Sequence, residues 1–173
     1  QQLSTLKDLL QIEKEPEYQS IARLLSKADK LMMLGRGYDY YTALEACIKI
    51  VGTSYTSATP YFAGELKHGP LALVSKGTYV IAFATDNDIL TKTLANAEET
   101  AARGAKLILC TPIELPKEQA SRFVHIIKVN KIDGPLQTVL NIIPWQIIAY
   151  YMSLYKGNNP DRPRNLAKSV TVE

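Results

Sequence analysis

The chain has 173 residues, of which 46% are hydrophobic, and this is the size of one domain with a sizeable core. Its 20 basic and 17 acidic residues are interspersed and give a net charge of +3, which argues against a nucleic-acid-binding protein. No apolar run is as long as a membrane span and the first residues do not resemble a signal peptide, so we expect a cytoplasmic protein with no membrane partner.

The two cysteines, Cys47 and Cys110, lie inside apolar runs. Buried free thiols in a reducing compartment fit this pattern better than a disulfide does. The chain begins with Gln1 rather than methionine. We therefore expect it to be a fragment of a longer chain or a processed product.

The first 28 residues carry apolar side chains at helical spacing in two groups separated by Pro16, which predicts two helices. A short apolar run, Leu31–Leu34, then predicts a buried strand that ends in a glycine turn, Gly35–Gly37. A helix follows, indicated by the spacing of Tyr41, Leu44, Cys47, Ile48 and Val51. The glycine turn at its start can bind an anion such as phosphate, but tight strand-to-helix turns also use glycine, so both interpretations stay open.

Residues 52–63 are polar and rich in turn-forming residues, which predicts a loop. The loop leads into the segment 64–70, where a glutamate, a lysine and His68 lie within four residues. His125, the other histidine, lies in a strand-like run, so we expect no metal site. His68 is then either a hydrogen-bonding loop residue or a proton-transfer group.

Further buried strands are predicted at about 78–84, 106–110 and 124–129, with helices at about 88–103 and 136–155. Strand and helix alternate, which predicts an α/β domain with a doubly wound, mainly parallel sheet covered by helices on both faces. In such domains ligands bind at the carboxyl ends of the strands. The last helix contains Pro144, which should kink it or mark its start. It is apolar on nearly all sides, so we expect another lobe or subunit to cover it.

Two prolines and an asparagine within residues 160–165 end the last helix and predict an extended tail. The tail places Lys168 among apolar residues. A lysine on a frayed end and a positioned amine for carbonyl chemistry both fit this pattern. We therefore divide the chain into a helical connector and leading helix (1–28), a lobe (29–157) and a tail that carries Lys168 (158–173).

Four segments together resemble a known family: Leu34–Gly37, Ala43–Glu45 with Lys49, Ala63–Leu73 and Pro163–Glu173. They resemble the C-terminal sugar-isomerase (SIS) lobe of the isomerase domain of the glutamine–fructose-6-phosphate aminotransferases, or glucosamine-6-phosphate synthases. The resemblance implies a flavodoxin-like topology. The glycine turn is common to many SIS domains, whereas the terminal block is specific to the synthases.

The resemblance implies a role for each matching residue. Lys168 would form a Schiff base with the ketose carbonyl, and His68 would open the sugar ring across a dimer interface. Lys49 and Glu45 would line the sugar site with Ala167, although Glu45 and Lys49 also fit an ordinary ion pair between residues four apart on a helix. The implied partners are a sugar phosphate, a second copy, a first SIS lobe and a glutaminase domain, and no cofactor is implied.

One position departs from the family. A glutamate that moves a proton between the first two sugar carbons stands in the family where this chain has Gly52. Glu45, Glu65 or a water molecule would have to replace it. We expect part of an enzyme that makes glucosamine 6-phosphate from fructose 6-phosphate, inactive as this fragment alone. Two alternatives remain: a catalytically impaired lobe that binds sugar phosphate for regulation, and a simple dimerisation module.

Overall fold

A computed structural model describes residues 14–132 and 134–165. In chain order its helices and strands are α1 (Glu15–Leu25), β1 (Lys30–Gly35), α2 (Tyr38–Ser54), β2 (Ser57–Phe62), β3 (Tyr79–Phe83), α3 (Asn87–Ala101), β4 (Lys106–Thr111), α4 (Lys117–Ala120), β5 (Phe123–Lys128) and α5 (Gln137–Tyr155). Short 3-10 helices, Ala63–His68, Pro70–Leu73 and Gly134–Leu136, lie in the connections.

The five strands form one parallel sheet in the order β2-β1-β3-β4-β5. The chain moves outward from β1 to β2 and then returns to the other side of β1, so the direction of winding changes between β1 and β3. The central strands are almost continuously buried, as expected when helices cover both faces of a parallel sheet. The predicted fold class is confirmed.

Each face of the sheet has its own hydrophobic core. On one face α1, α2 and α5 pack together over the strands, with Trp145 of α5 and Tyr18 of α1 fully buried. On the other face α3 and the 3-10 helix Ala63–His68 cover the sheet and bury Leu94 and Leu66. The result is a three-layer domain in which α2 lies between the sheet and solvent.

The stripe of large residues that predicted α2 faces solvent for most of its length. Exposed side chains at helical spacing are Tyr41, Leu44, Ile48 and Val51. The buried side of α2 consists of smaller residues, Ala43, Ala46 and Cys47, together with Ile50. Small side chains let the helix approach the sheet and α5 closely, so α2 presents its large apolar residues outward.

One local prediction is wrong, and one of the two alternatives for Pro144 is excluded. Residues 57–62, predicted as a loop, form the edge strand β2, where Pro60 is tolerated because one side of an edge strand has no partner strand. Helix α5 begins at Gln137 and continues through Pro144, so the proline does not mark its start. The prediction of two buried free cysteines is confirmed. Among the described residues, no helix has both the length and the apolar character needed to cross a bilayer.

Candidate active site

The carboxyl edge of the sheet contains a cleft of about 350 Å³ between the loops that follow β1, β3 and β5. It lies where the winding direction changes, which is the usual ligand crevice of open α/β sheets. Among its lining side chains are Asp39, Asp86, Lys131 and Gln137. The cleft therefore has charged groups of both signs.

A buried hydrogen-bond network forms the floor of this cleft around Asp39. The Thr85 backbone N–H donates to Asp39 Oδ2 at 2.9 Å, and Thr85 Oγ1 donates to Asp39 Oδ1 at 2.6 Å. The Asn141 side-chain amide lies 3.4 Å from the same Oδ1 atom and itself accepts from Gln137 Nε2 at 2.8 Å. Burial raises the pKa of Asp39, although the bonds from Thr85 act in the opposite direction. The network links the loop after β3 to α2 and α5.

The glycine turn of residues 35–37 has a structural explanation. A Cβ atom at Gly35 would lie 2.4 Å from backbone atoms of Asp39, so the first turn of α2 passes too close for any side chain there. The charged side chains that line the cleft beside the turn are two acidic and two basic residues, so their charges do not by themselves indicate an anion site. Of the two interpretations of the turn, these observations favour tight packing.

His68 lies beyond the carboxyl end of β2, at the last residue of a 3-10 helix. Ala63 and Leu66 of that helix are fully buried and anchor it, and Lys67 forms a 2.9 Å ion pair with Glu99 of α3. His68 and Glu65 are exposed to solvent. The segment is thus attached through its apolar residues and its lysine, and it presents its histidine outward.

Arg36, which sequence reasoning had not selected, packs beneath the same segment. Its Nη2 donates to Asn96 Oδ1 at 2.7 Å. Two guanidinium nitrogens lie 3.2 Å from the position that a Cβ at Gly64 would occupy. A Cβ at Gly64 would require this guanidinium to shift by a few tenths of an ångström, so the glycine lets Arg36 lie directly against the start of the histidine segment.

Lys49 and Glu45 lie on the half-exposed side of α2, and their Nζ and Oε1 atoms are 2.6 Å apart. The two side chains therefore form the expected ion pair. In this pair 38% of the lysine side chain and 43% of the glutamate side chain remain exposed. Gly52 lies three residues after Lys49, on the same face. This face borders the exposed apolar stripe of α2.

The chain returns to the C-terminal end of α2 after α5. Lys156 Nζ donates to Thr56 Oγ1 at 2.9 Å, and the Arg164 backbone N–H donates to the Tyr55 hydroxyl at 2.7 Å. The Arg164 guanidinium lies 4.2 Å from the centre of the Tyr55 ring. Lys168 and Ala167, the two site residues predicted in the tail, lie outside the described residues. The residues immediately before them end beside α2.

The structure does not bring all the predicted site residues together. Helix α2 starts at the carboxyl edge and ends at the amino edge, because it connects two parallel strands. Lys49 and Gly52 lie toward the amino edge, near the contact with Arg164. His68 follows β2 at the opposite edge, separated by a six-residue strand about 20 Å long.

Sequence reasoning had not identified Tyr55 as a site residue and had read Arg164 only as part of the terminal block. Their contact joins residues 109 positions apart, which no local pattern indicates. The one available signal was that Arg164 belongs to the segment that carries the family resemblance. Arg36 likewise lies inside the motif Leu34–Gly37, between two glycines.

Comparison with known proteins agrees with the resemblance. The SIS domain profile matches residues 24–156. The chain is 43% identical to the glutamine–fructose-6-phosphate aminotransferase [isomerizing] of Acidithiobacillus ferridurans over 92% of its own length and 26% of that protein. It is 45% identical to the enzyme of the same name from Clostridium tetani over 83% of its length and 23% of that protein. The chain thus spans about a quarter of the curated relatives it matches.

A solved structure gives the same relationship. The C-terminal domain of glucosamine-fructose-6-phosphate aminotransferase from Francisella tularensis superposes with a TM-score of 0.80 at 32% identity. The match covers 93% of this chain and 46% of that domain. The predicted resemblance to an SIS lobe of these aminotransferases is confirmed, and the chain belongs to the SIS domain family.

Proposed function

We propose that this chain is the C-terminal SIS lobe of an aminotransferase that makes glucosamine 6-phosphate from fructose 6-phosphate. In this proposal residues 1–28 connect it to a preceding SIS lobe and glutaminase domain, residues 29–157 are the lobe, and residues 158–173 are the tail. The observation that supports it best lies at the C-terminal end of α2, at the amino edge of the sheet. There Lys49 and Gly52 lie in the last two turns of the helix, and the Arg164 backbone contacts Tyr55 at its end.

Lys168 supplies the covalent chemistry in this proposal. Its unprotonated amine adds to the open-chain ketose carbonyl, and water leaves as the imine forms. The imine makes the neighbouring C–H acidic, and exchange with ammonia would release the lysine. A free lysine has a pKa of about 10.4, so this step requires a site that lowers it.

His68 opens the sugar ring, which requires a proton to leave the anomeric hydroxyl and another to reach the ring oxygen. Its exposed position at the opposite edge from Lys49 supports a site shared between two copies, in which each copy offers its histidine to the other. The exposed apolar stripe of α2 and the exposed side of α5, including Tyr150 and Leu154, would be covered by the first SIS lobe or by the second copy.

One observation favours the alternative function. Gly52 occupies the position of the family's proton-shuttling glutamate and cannot transfer a proton. A lobe that keeps the sugar site but lacks the base would bind sugar phosphate for regulation. A cytoplasmic location remains a prediction in either case and rests on the two unpaired, buried cysteines.

The test is formation of glucosamine 6-phosphate from fructose 6-phosphate and added ammonia by the longer protein, comparing the natural sequence with Lys168→Ala. Added ammonia makes the assay independent of a glutaminase. Turnover by the natural protein that is lost in Lys168→Ala supports the enzyme. Tight binding of fructose 6-phosphate with no turnover supports the regulatory lobe, and neither binding nor turnover contradicts both.

A further inference from the structure

The segment after α5 contacts three consecutive residues at the C-terminal end of α2, Ser54, Tyr55 and Thr56. Asn158 Nδ2 lies 3.5 Å from the Ser54 carbonyl oxygen, Lys156 donates to Thr56, and Arg164 contacts Tyr55 between them. The contacts fix where the last residues begin their path relative to α2.

Tyr55 is held in an unusual backbone conformation at this point. It is the C-cap of α2 with φ 56° and ψ 20°, in the left-handed region, and its N–H donates to the Val51 carbonyl. Glycine is the usual residue here, because a side chain costs about 1–2 kcal/mol in this conformation. A tyrosine accepts this strain, which suggests that its side chain has a function.

The Tyr55 side chain holds Arg164 by two independent contacts. Its hydroxyl accepts the Arg164 backbone N–H at 2.7 Å, and its ring faces the Arg164 guanidinium at 4.2 Å. The first contact fixes the backbone and the second fixes the direction of the side chain. Pro160 and Pro163 restrict the chain just before this point and lower the entropy lost when it is fixed.

Lys168 is four residues beyond Arg164, and four residues span at most about 14 Å. Anchoring Arg164 therefore bounds the volume in which the lysine can act. Lys49 and Gly52 lie on the same helix that carries the anchor. We propose that the contact between Tyr55 and Arg164 is a clasp that fixes where the tail starts on α2, and that the reaction of the Lys168 amine with the sugar carbonyl depends on this clasp. The inference rests on the proposed function, and Tyr55 is a positioning residue in it.

The test measures imine formation directly. The longer protein is incubated with fructose 6-phosphate and borohydride, and the reduced Lys168 adduct is quantified by mass spectrometry over time. Tyr55→Gly is the informative variant. Glycine adopts the left-handed conformation without strain, and the substitution removes both the hydrogen bond and the ring contact with Arg164. Tyr55→Phe is the matched control that keeps the ring and loses only the hydroxyl.

We expect Tyr55→Gly to slow trapping about ten- to a hundredfold, since a small misplacement of a reacting group has effects of this size. Tyr55→Phe should slow it less, by about three- to tenfold, as for the loss of one hydrogen bond. The KM for fructose 6-phosphate should change little while kcat falls, and thermal stability should be kept or raised in Tyr55→Gly. Trapping at the wild-type rate in Tyr55→Gly would overturn the clasp.

Amide hydrogen exchange separates failure of the clasp from failure of the proposed function. The Arg164 amide should be protected in the wild-type protein, and its exchange should speed up in Tyr55→Phe. An Arg164 amide that exchanges at the rate of an unstructured chain in the wild-type protein overturns the clasp whatever the chemistry. A wild-type protein with a protected Arg164 amide but no trapped Lys168 adduct overturns the proposed function and the catalytic part of this inference.

Discussion

The two edges of the sheet differ in whether their charged side chains are buried in a hydrogen-bond network or exposed. At the carboxyl edge Asp39 is surrounded by donors from Thr85 and Asn141, and the cleft above it contains charges of both signs. On α2, Lys49 and Glu45 form an ion pair that stays partly exposed, and the chain after α5 contacts the end of the same helix at the amino edge. The floor of the cleft is thus formed by a buried internal network, while the charged groups proposed for the sugar site on α2 face outward.

The position of His68 adds to this contrast. It lies at the carboxyl edge but outside the buried network, on a segment held by Leu66 and by the Lys67–Glu99 pair. The residues proposed for sugar chemistry therefore lie at two separated places of one chain. The proposed site shared between two copies accounts for this separation.

The largest effect should come from giving the amino edge the base it lacks. In the longer protein, Gly52→Glu should raise glucosamine 6-phosphate formation by about a hundred- to ten-thousandfold if the missing base limits the rate. Gly52→Gln is the matched control, since both substitutions should improve the helix by a similar amount, roughly 0.5–1 kcal/mol, but only glutamate transfers protons. Equal rates for the natural protein and Gly52→Glu would mean that another group already serves as base.

Helix α2 joins the two edges, and the contribution of its two sides to stability can be compared by replacing one isoleucine on each side with alanine. Ile50 is fully buried and Ile48 is 54% exposed. Ile50→Ala should lower the free energy of unfolding by about 2–5 kcal/mol because it leaves a cavity. Ile48→Ala should lower it by about 0.5 kcal/mol or less in the chain by itself. Urea denaturation measures both, and equal losses would show that the sides of α2 are wrongly assigned.

In the longer protein Ile48→Ala should have a second consequence. Removal of an exposed apolar side chain from the α2 stripe should weaken the association that covers it. Analytical ultracentrifugation at several concentrations would detect this as a larger monomer fraction, with Lys92→Ala, on the exposed side of α3, as the surface control. An unchanged association constant would exclude the α2 stripe from the interface.

The smallest effect concerns the carboxyl edge and its dependence on pH. Burial raises the folded-state pKa of Asp39 above the usual aspartate value of 3.8, so the folded protein binds this proton more tightly than the unfolded chain does. The stabilising contribution is complete below that usual value and is lost as the pH rises through the folded-state pKa. The wild-type protein should therefore lose stability relative to Asp39→Asn over that interval. Urea denaturation at a series of pH values measures this difference, and a relative gain by the wild-type protein would mean that the Thr85 donors outweigh burial.

The layered fold could be predicted because its signals are local. The runs of buried residues in the central strands and the glycine turn after Leu34 follow from the needs of a covered parallel sheet. Strand β2 was missed because an edge strand is only half covered and its residues, including Pro60, need not be apolar. Its polar composition is therefore indistinguishable from that of a loop.

The residues proposed for the site could be selected from the sequence only in part. Lys49, Glu45 and His68 belong to compact motifs, so the resemblance selects them as candidates. It did not indicate that His68 lies at the opposite edge from the other two, because that separation follows from the direction of α2 between two parallel strands. The contact between Tyr55 and Arg164 could not be predicted from the sequence either, because it depends on where the chain returns after α5.

In the proposed mechanism one copy's His68 acts with another copy's Lys168, and purified heterodimers of the longer protein test this directly. A heterodimer of His68→Ala with Lys168→Ala contains one intact shared site, so it should have about half of wild-type activity. A heterodimer of the wild-type chain with the double variant contains no intact shared site and should be inactive. The reverse result, an inactive first heterodimer and a half-active second one, would place both residues in a site within a single chain and contradict this account.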